Sequence, residues 1–136
     1  MATVLIVDDE EIVIRVARKA LELAGHKVCV ANSRREADRV AKKMAHIDVL
    51  IVNHCVPPDS GRSIAEDLLQ THPEARVMHI SGYPRSVLES EGSLTSGSSF
   101  LAKPFGISQI QNHVSSILSM PAPAARYVVA HPRGAR

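Results

Sequence analysis

Asp48-Val49-Leu50-Ile51-Val52-Asn53-His54-Cys55-Val56-Pro57-Pro58-Asp59-Ser60-Gly61 is the stretch on which the fold of this chain turns. Val49 to Val52 are four consecutive apolar residues, three of them β-branched, the pattern of a strand covered on both faces in a parallel sheet. Asn53 is the first polar residue after the run. Pro57-Pro58 and Asp59-Ser60-Gly61 then turn the chain and open a helix. Ligands of open α/β sheets sit outside the carboxyl ends of the strands, so Asn53 stands where chemistry would be done.

The same strand-then-polar pattern recurs on either side. Thr3 to Val7 is a β-branched run ending at Asp8-Asp9-Glu10-Glu11, acidic residues that suit a helix N-terminus. Ile12, Val13, Val16, Ala17, Ala20, Leu21 and Ala24 follow at helical spacing, and Gly25 supplies the stop. Val28 to Ala31 reads as a second strand. Asn32 or Ser33 caps a second helix running to about Met44, with Ala37, Val40, Ala41 and Met44 inward. After the central strand, Ser60-Gly61 begins a third helix carrying Ile64, Ala65, Leu68 and Leu69 that ends at His72-Pro73. Arg76 to Ile80 is a fourth strand that stops at Ser81. Pro84 to Ser99 offers a short helix around Arg85 to Ser90 and then a serine-rich stretch, Ser90 to Ser99, read either as a mobile output face or as a plain loop. Phe100-Leu101-Ala102 leads into Lys103-Pro104-Phe105, and Ile107, Ile110, Val114, Ile117 and Leu118 mark a last helix.

Five alternations of strand and helix predict an α/β fold, a doubly wound five-stranded parallel sheet with helices on both faces. Right-handed crossovers bring the strand ends at Asp8-Asp9, Asn53, Ser81 and Lys103 to one edge. The expected organisation is one domain over residues 1–120 and a disordered basic tail over 121–136, where Pro121, Arg126, Arg133 and Arg136 fall.

Composition narrows the function classes. With 136 residues, 45% apolar and 22% charged, the chain is an ordinary globular protein whose four aromatics leave the core to aliphatic side chains. A net charge of +2 argues little. Arg34, Arg35, Arg39, Lys42 and Lys43 share a helix with Glu36 and Asp38, a solvated face rather than a nucleic-acid patch. Cys29 and Cys55 make no disulfide framework, and neither a signal peptide nor a long apolar span is evident, so a reduced, cytoplasmic protein is expected. His54, Cys55 and His79 lack the spacing of a zinc or copper site.

The chain resembles the receiver domain of two-component response regulators, the CheY-like family, over about residues 2 to 119. Four motifs carry the resemblance: Asp8-Asp9 within Val-Leu-Ile-Val-Asp-Asp-Glu, the strand and Pro-x-x-x-Gly loop around Asn53, Ile80-Ser81-Gly82-Tyr83, and Phe100-Leu-Ala-Lys103-Pro104-Phe105. The last two look most like receivers attached to hybrid sensor kinases. The resemblance implies a flavodoxin-like fold with strand order 2-1-3-4-5, and a Mg²⁺ site with Asp9 as direct ligand, Asp8 acting through water, Asn53 as a side-chain ligand, and the Cys55 backbone carbonyl completing the protein's share. It also implies Lys103 pairing with phosphoryl oxygens, Ser81 swinging toward them, Phe100 rotating to report the change, and a cis bond before Pro104.

The departure is Asn53. Family members carry an aspartate there, whose carboxylate attacks the phosphorus of a phosphohistidine. An amide is uncharged, its lone pair is delocalised, and it is a poor nucleophile. Its oxygen can still ligate Mg²⁺, but the site loses one of three charges and the affinity should fall. Asn53 could also hydrogen-bond to Lys103.

The reading that follows is a single-domain pseudo-receiver that signals by protein contact without phosphorylation, and is not an enzyme. Its expected partner is a histidine kinase or a downstream signalling protein, and its expected state a monomer or weak homodimer. Two alternatives stay open: a phosphorylatable receiver seen as an Asp-to-Asn variant, and a Mg²⁺-dependent phosphoryl-transfer enzyme of flavodoxin-like fold, which would need a nucleophile at position 53. Asp48 and Asp59 are poor substitutes, since Asp48 opens the strand about 16 Å from its end at ~3.3 Å per residue and Asp59 lies beyond two prolines. A flavin site is set aside because Asp8-Asp9-Glu10-Glu11 would repel a phosphate.

Overall fold

The computed structural model describes residues 1–121. In chain order the elements are β1 (Thr3–Val7), α1 (Glu11–Leu23), β2 (Lys27–Ala31), α2 (Arg34–Lys43) and β3 (Val49–Asn53). Next come the two-residue strands β4 (Cys55–Val56) and β5 (Asp59–Ser60), α3 (Gly61–Thr71), β6 (Arg76–Ser81), α4 (Arg85–Ser90), β7 (Ser99–Ala102) and α5 (Ile107–Leu118). The five long strands form one sheet in the order β2-β1-β3-β6-β7, all neighbours parallel. In order of occurrence this is the expected 2-1-3-4-5. The tail predicted from residue 121 onward falls almost wholly outside the described residues.

Strand alternation sends side chains to two cores. Val4, Ile6, Val49, Ile51, Met78 and Ile80 face α1 and α5. Leu5, Val7, Leu50, Val52 and Val77 face α2 and α3 with Ala37, Ala41, Ile64, Ala65 and Leu68. β3 lies at the centre and all five of its residues are buried, as its unbroken apolar run requires. At roughly 1.5–3 kcal/mol per fully buried aliphatic side chain, these two layers supply the main drive to fold.

Helix ends follow local chemistry. Ser33 is the cap of α2: its Oγ accepts the Glu36 N–H at 3.1 Å while Glu36 Oε1 accepts the Asn32 N–H at 2.7 Å. Ser60 Oγ accepts the Ser63 N–H at 3.0 Å at the start of α3. Gly25 ends the turn after α1 at φ +91°, a conformation closed to most residues. Arg34 ties α2 to the following layer through Asp59, Ser63 and Asp67.

The serine-rich stretch before β7 is anchored from below. His79, fully buried in β6, places Nε2 3.0 Å from the Thr95 N–H and 2.8 Å from Thr95 Oγ1. Thr95 is itself buried.

Candidate functional site

Asp8, Asn53, Ser81 and Lys103 meet at the carboxyl edge because β1, β3, β6 and β7 run parallel and end level. The loops there are stitched by main-chain bonds: His54 N donates to Ile80 O at 3.0 Å, and Lys103 N to Ser81 O at 2.7 Å. Gly61 N donates to His54 O at 2.7 Å. A Cβ on Gly61 would run into the carbonyl oxygen of Asn53, so only glycine lets α3 start this close to β3. Between them Cys55–Val56 and Asp59–Ser60 pair as a small antiparallel hairpin whose tip is Pro57-Pro58. Both the Pro57–Pro58 and the Lys103–Pro104 bonds are cis, the second as the sequence motif implied.

The acidic cluster is split in exposure. Asp8 is wholly buried and Asp9 exposed. Asp8 Oδ1 accepts the Glu10 N–H at 2.9 Å, and Oδ2 forms an ion pair with Lys103 Nζ at 2.9 Å. Burial lifts the Asp8 pKa above the ordinary carboxylate value, against the lowering pull of the Glu10 N–H and of Lys103. Lys103 also donates to Glu10 Oε1 at 2.5 Å. Lys103 therefore serves two acids of the first loop, and the hydrogen bond that Asn53 could have made to it is not among its contacts.

Asn53 is only 6% exposed. Its Nδ2 donates to the Cys55 carbonyl oxygen at 2.8 Å and lies 3.5 Å from Asp9 Oδ1, the long limit of a hydrogen bond. Its Oδ1 is buried without a hydrogen-bond partner. The predicted cation oxygens, Asp9 and Cys55 O, do converge, and they are hard donors of the kind Mg²⁺ takes. The space between them holds an amide NH₂ instead. Among the described residues, no group of three or more His, Cys, Asp or Glu side chains is placed to hold a metal. As arranged, the site does not fit a divalent cation.

Ser81 is buried, with its Oγ accepting the Tyr83 N–H at 2.9 Å, and so caps the turn that follows β6. Phe100 is half-buried, opposite His79 in the register between β6 and β7. Two residues not foreseen as site members join the cluster. Glu10 holds Lys103, and His54 stands its ring edge-on to Tyr83 at 5.1 Å. Burial and then the charge of Lys103 push the His54 pKa down, against Glu91 and Asp8. An acid following Asp8-Asp9 and a ring following Asn53 are the signals that could have found them.

A cleft of about 490 Å³ opens over these groups, lined by Glu10, Ile12, Asn53, His54, Lys103 and Phe105 among others. Ile12 is 72% exposed at its rim. A larger hollow of about 680 Å³ lies on the outer face of α2, where Arg35, Arg39, Lys42 and Lys43 alternate with Glu36 and Asp38. Its mixed charges make it solvated surface. Among the described residues, no helix is long and apolar enough to cross a membrane.

Comparison with known proteins agrees with this geometry. The family model described as the response regulator receiver domain matches residues 4–115. Sensor kinase CckA of Brucella abortus (strain 2308) is 29% identical over 118 residues, which cover 86% of this chain and 12% of the kinase. Response regulator receiver protein CpdR of the same organism is 24% identical over 119 residues, covering 87% of this chain and 98% of that protein. The crystal structure of the receiver domain from hybrid histidine kinase CckA is 30% identical, superposes with a TM-score of 0.72, and is covered to 99% by 86% of this chain.

Proposed function

Because this chain belongs to the response regulator receiver family, we propose that it is a receiver-type module of two-component signalling that has lost phosphorylation and works through protein contact. One observation carries the reading: the residue at the end of β3, in line with Asp8, Ser81 and Lys103, is Asn53, and its side chain is a buried hydrogen-bond donor rather than a nucleophile. An amide in that place has no charge to attack phosphorus. The surrounding groups hold a fixed shape instead, with Lys103 clamped to the first loop and Ser81 to the turn before α4.

The module spans residues 1–120. Its partner is a histidine kinase or a downstream signalling protein, met as a monomer or weak homodimer, and it acts as a binding element rather than an enzyme. Its compartment is the cytoplasm, where Cys29 and Cys55 stay free thiols. Any Mg²⁺ binding is weak, since Asn53 removes one carboxylate from the set.

The test is incubation with Mg²⁺ and acetyl phosphate, followed by mass spectrometry, on the unmodified protein and on Asn53→Asp. The expected outcome is no adduct on the first and a base-labile gain of ~80 Da on the second. An adduct on the unmodified protein overturns the proposal and directs the search to another acceptor.

A further inference from the structure

Resting on the reading of Asn53 as a silent acceptor, we propose that its amide replaces the divalent cation, so that the pocket of this chain is built to stand without metal. The resemblance assigns a cation to the oxygens of Asp9 and Cys55, and the Asn53 Nδ2 donates to Cys55 O at 2.8 Å and points at Asp9 Oδ1 from 3.5 Å. The NH₂ group brings its partial positive charge to the same two acceptors.

The amide's orientation is fixed by those neighbours. Turned over, it would set Oδ1 against a carbonyl oxygen and a carboxylate, placing lone pairs against lone pairs. Only a cation between them would make that arrangement favourable, and Mg²⁺ would require it, because it binds the oxygen of an amide and never the nitrogen. The buried Oδ1 left without a partner is the consequence. Evidently the donor side of the amide matters more here than the acceptor side, for the acceptor side is the one abandoned.

Lys103 completes the neutralisation independently. Its Nζ lies 2.9 Å from Asp8 Oδ2 and 2.5 Å from Glu10 Oε1, so Asp8, the other carboxylate of the acidic pair, already has its counter-charge. Asp8 is answered by an ammonium and Asp9 by an amide. The single exchange that removes the nucleophile thus also removes the need for a cation: a carboxylate at position 53 would face Asp9 and Cys55 O with no donor, and the three oxygens would call for a metal.

Two structural ideas make opposite predictions about Asn53→Ala. If Asn53 is a weakened oxygen ligand, removing it lowers Mg²⁺ affinity. If its NH₂ occupies the cation's place, removing it frees Asp9 and Cys55 O and raises the affinity. We expect the order of Mg²⁺ affinity to be N53D, then N53A, then the unmodified protein, with steps of roughly tenfold, about 1.4 kcal/mol each. The measurement is the Mg²⁺-dependent shift of the thermal midpoint, which grows with the logarithm of concentration once a site fills. N53A binding more weakly than the unmodified protein overturns the proposal, as does an N53D variant that does not respond to Mg²⁺.

A second readout needs no variant. In ¹⁵N-labelled protein the Asn53 side-chain NH₂ resonances should be protected from exchange and unmoved by millimolar Mg²⁺, while rapid exchange or a shift on titration overturns the assignment. An unmodified protein that binds Mg²⁺ yet gives no acetyl phosphate adduct overturns this inference alone. An adduct overturns the functional reading beneath it.

Discussion

Carboxylates gather at both ends of the parallel sheet, and they are held in opposite ways. At the amino edge Asp48 Oδ2 accepts the Thr3 N–H at 2.8 Å and Oδ1 meets His46 Nε2 at 2.5 Å. Beside it Glu74 Oε2 accepts the Ile47 N–H at 3.0 Å and faces His72 Nδ1 at 3.3 Å. Burial is the largest single influence and raises the pKa of both acids, but backbone donors and neighbouring side chains together outweigh it. Asp48 is pulled below its ordinary value by the Thr3 N–H, His46 and Arg76, and Glu74 by the N–H groups of Ile47 and of Glu74 itself together with His72. At the carboxyl edge burial wins, and Asp8 is raised despite Glu10 N–H and Lys103. One edge ties strands together, so its acids are supplied with main-chain donors and stabilise the fold. The other keeps a pocket, and its deepest acid is held at a cost.

His79 lies between the two edges and is fully buried. Burial, with smaller contributions from Arg62 and His54, lowers its pKa from 6.5 to about 4. The folded state therefore refuses a proton that the unfolded chain accepts. Stability is complete above pH 6.5 and is lost as pH falls toward 4, by about 3 kcal/mol in all. Urea unfolding between pH 7 and 4 should show it, more than half of the loss coming above pH 5, where carboxylates are still ionised. A His79→Gln variant should flatten that part of the curve, and an equally steep curve from the variant would assign the loss elsewhere.

Asp48→Ala breaks the amino edge. It leaves the Thr3 N–H without its acceptor and should lower stability by about 2 kcal/mol at pH 7. A lowered carboxylate pKa gives stability above the unfolded value that disappears as pH falls through the folded one. The gap between variant and parent should therefore close in acid. A gap of constant size at pH 7 and pH 2.5 would remove charge from the account of this edge.

Asp8→Asn sharpens the contrast with the smallest effect and the opposite sign. A raised pKa means that the fold favours the neutral acid, a preference satisfied below pH 3.8 and opposed at neutral pH. The amide variant should match the parent at pH 7 or be slightly more stable, with Lys103 retained by Glu10. A clear loss of stability on thermal or urea unfolding would show that the Lys103 pair, not burial, governs Asp8.

The residues that announced the fold did so through local rules. The run Val49 to Val52 is apolar throughout because both faces of β3 are covered, and Ser33, Ser60 and Gly25 end or begin helices by bonds and torsions that span four residues. The convergence of Asp8, Asn53, Ser81 and Lys103 was legible too, since parallel strands with right-handed crossovers leave their ends on one edge. What escaped was direction. Lys103 could be placed at the edge but not aimed, and its preference for Asp8 and Glu10 over Asn53 depends on side chains 93 to 95 residues away in sequence. The Asp48 and Glu74 ties escaped for the same reason: each acid meets a backbone N–H from another strand or loop.

By itself the sequence determined the α/β alternation, the membership of the edge cluster and the amide at the end of β3, which follow from residue type and short-range periodicity, while the order of strands came from the resemblance that its four motifs carry. Tertiary structure alone decided which charges neutralise which, that Asp9 is exposed and Asp8 is not, and that the Asn53 amide turns its donor toward Cys55 O. Hydrogen bonds and ion pairs form over a few ångströms and depend on angle, whereas a strand pattern specifies position only to the nearest residue and face.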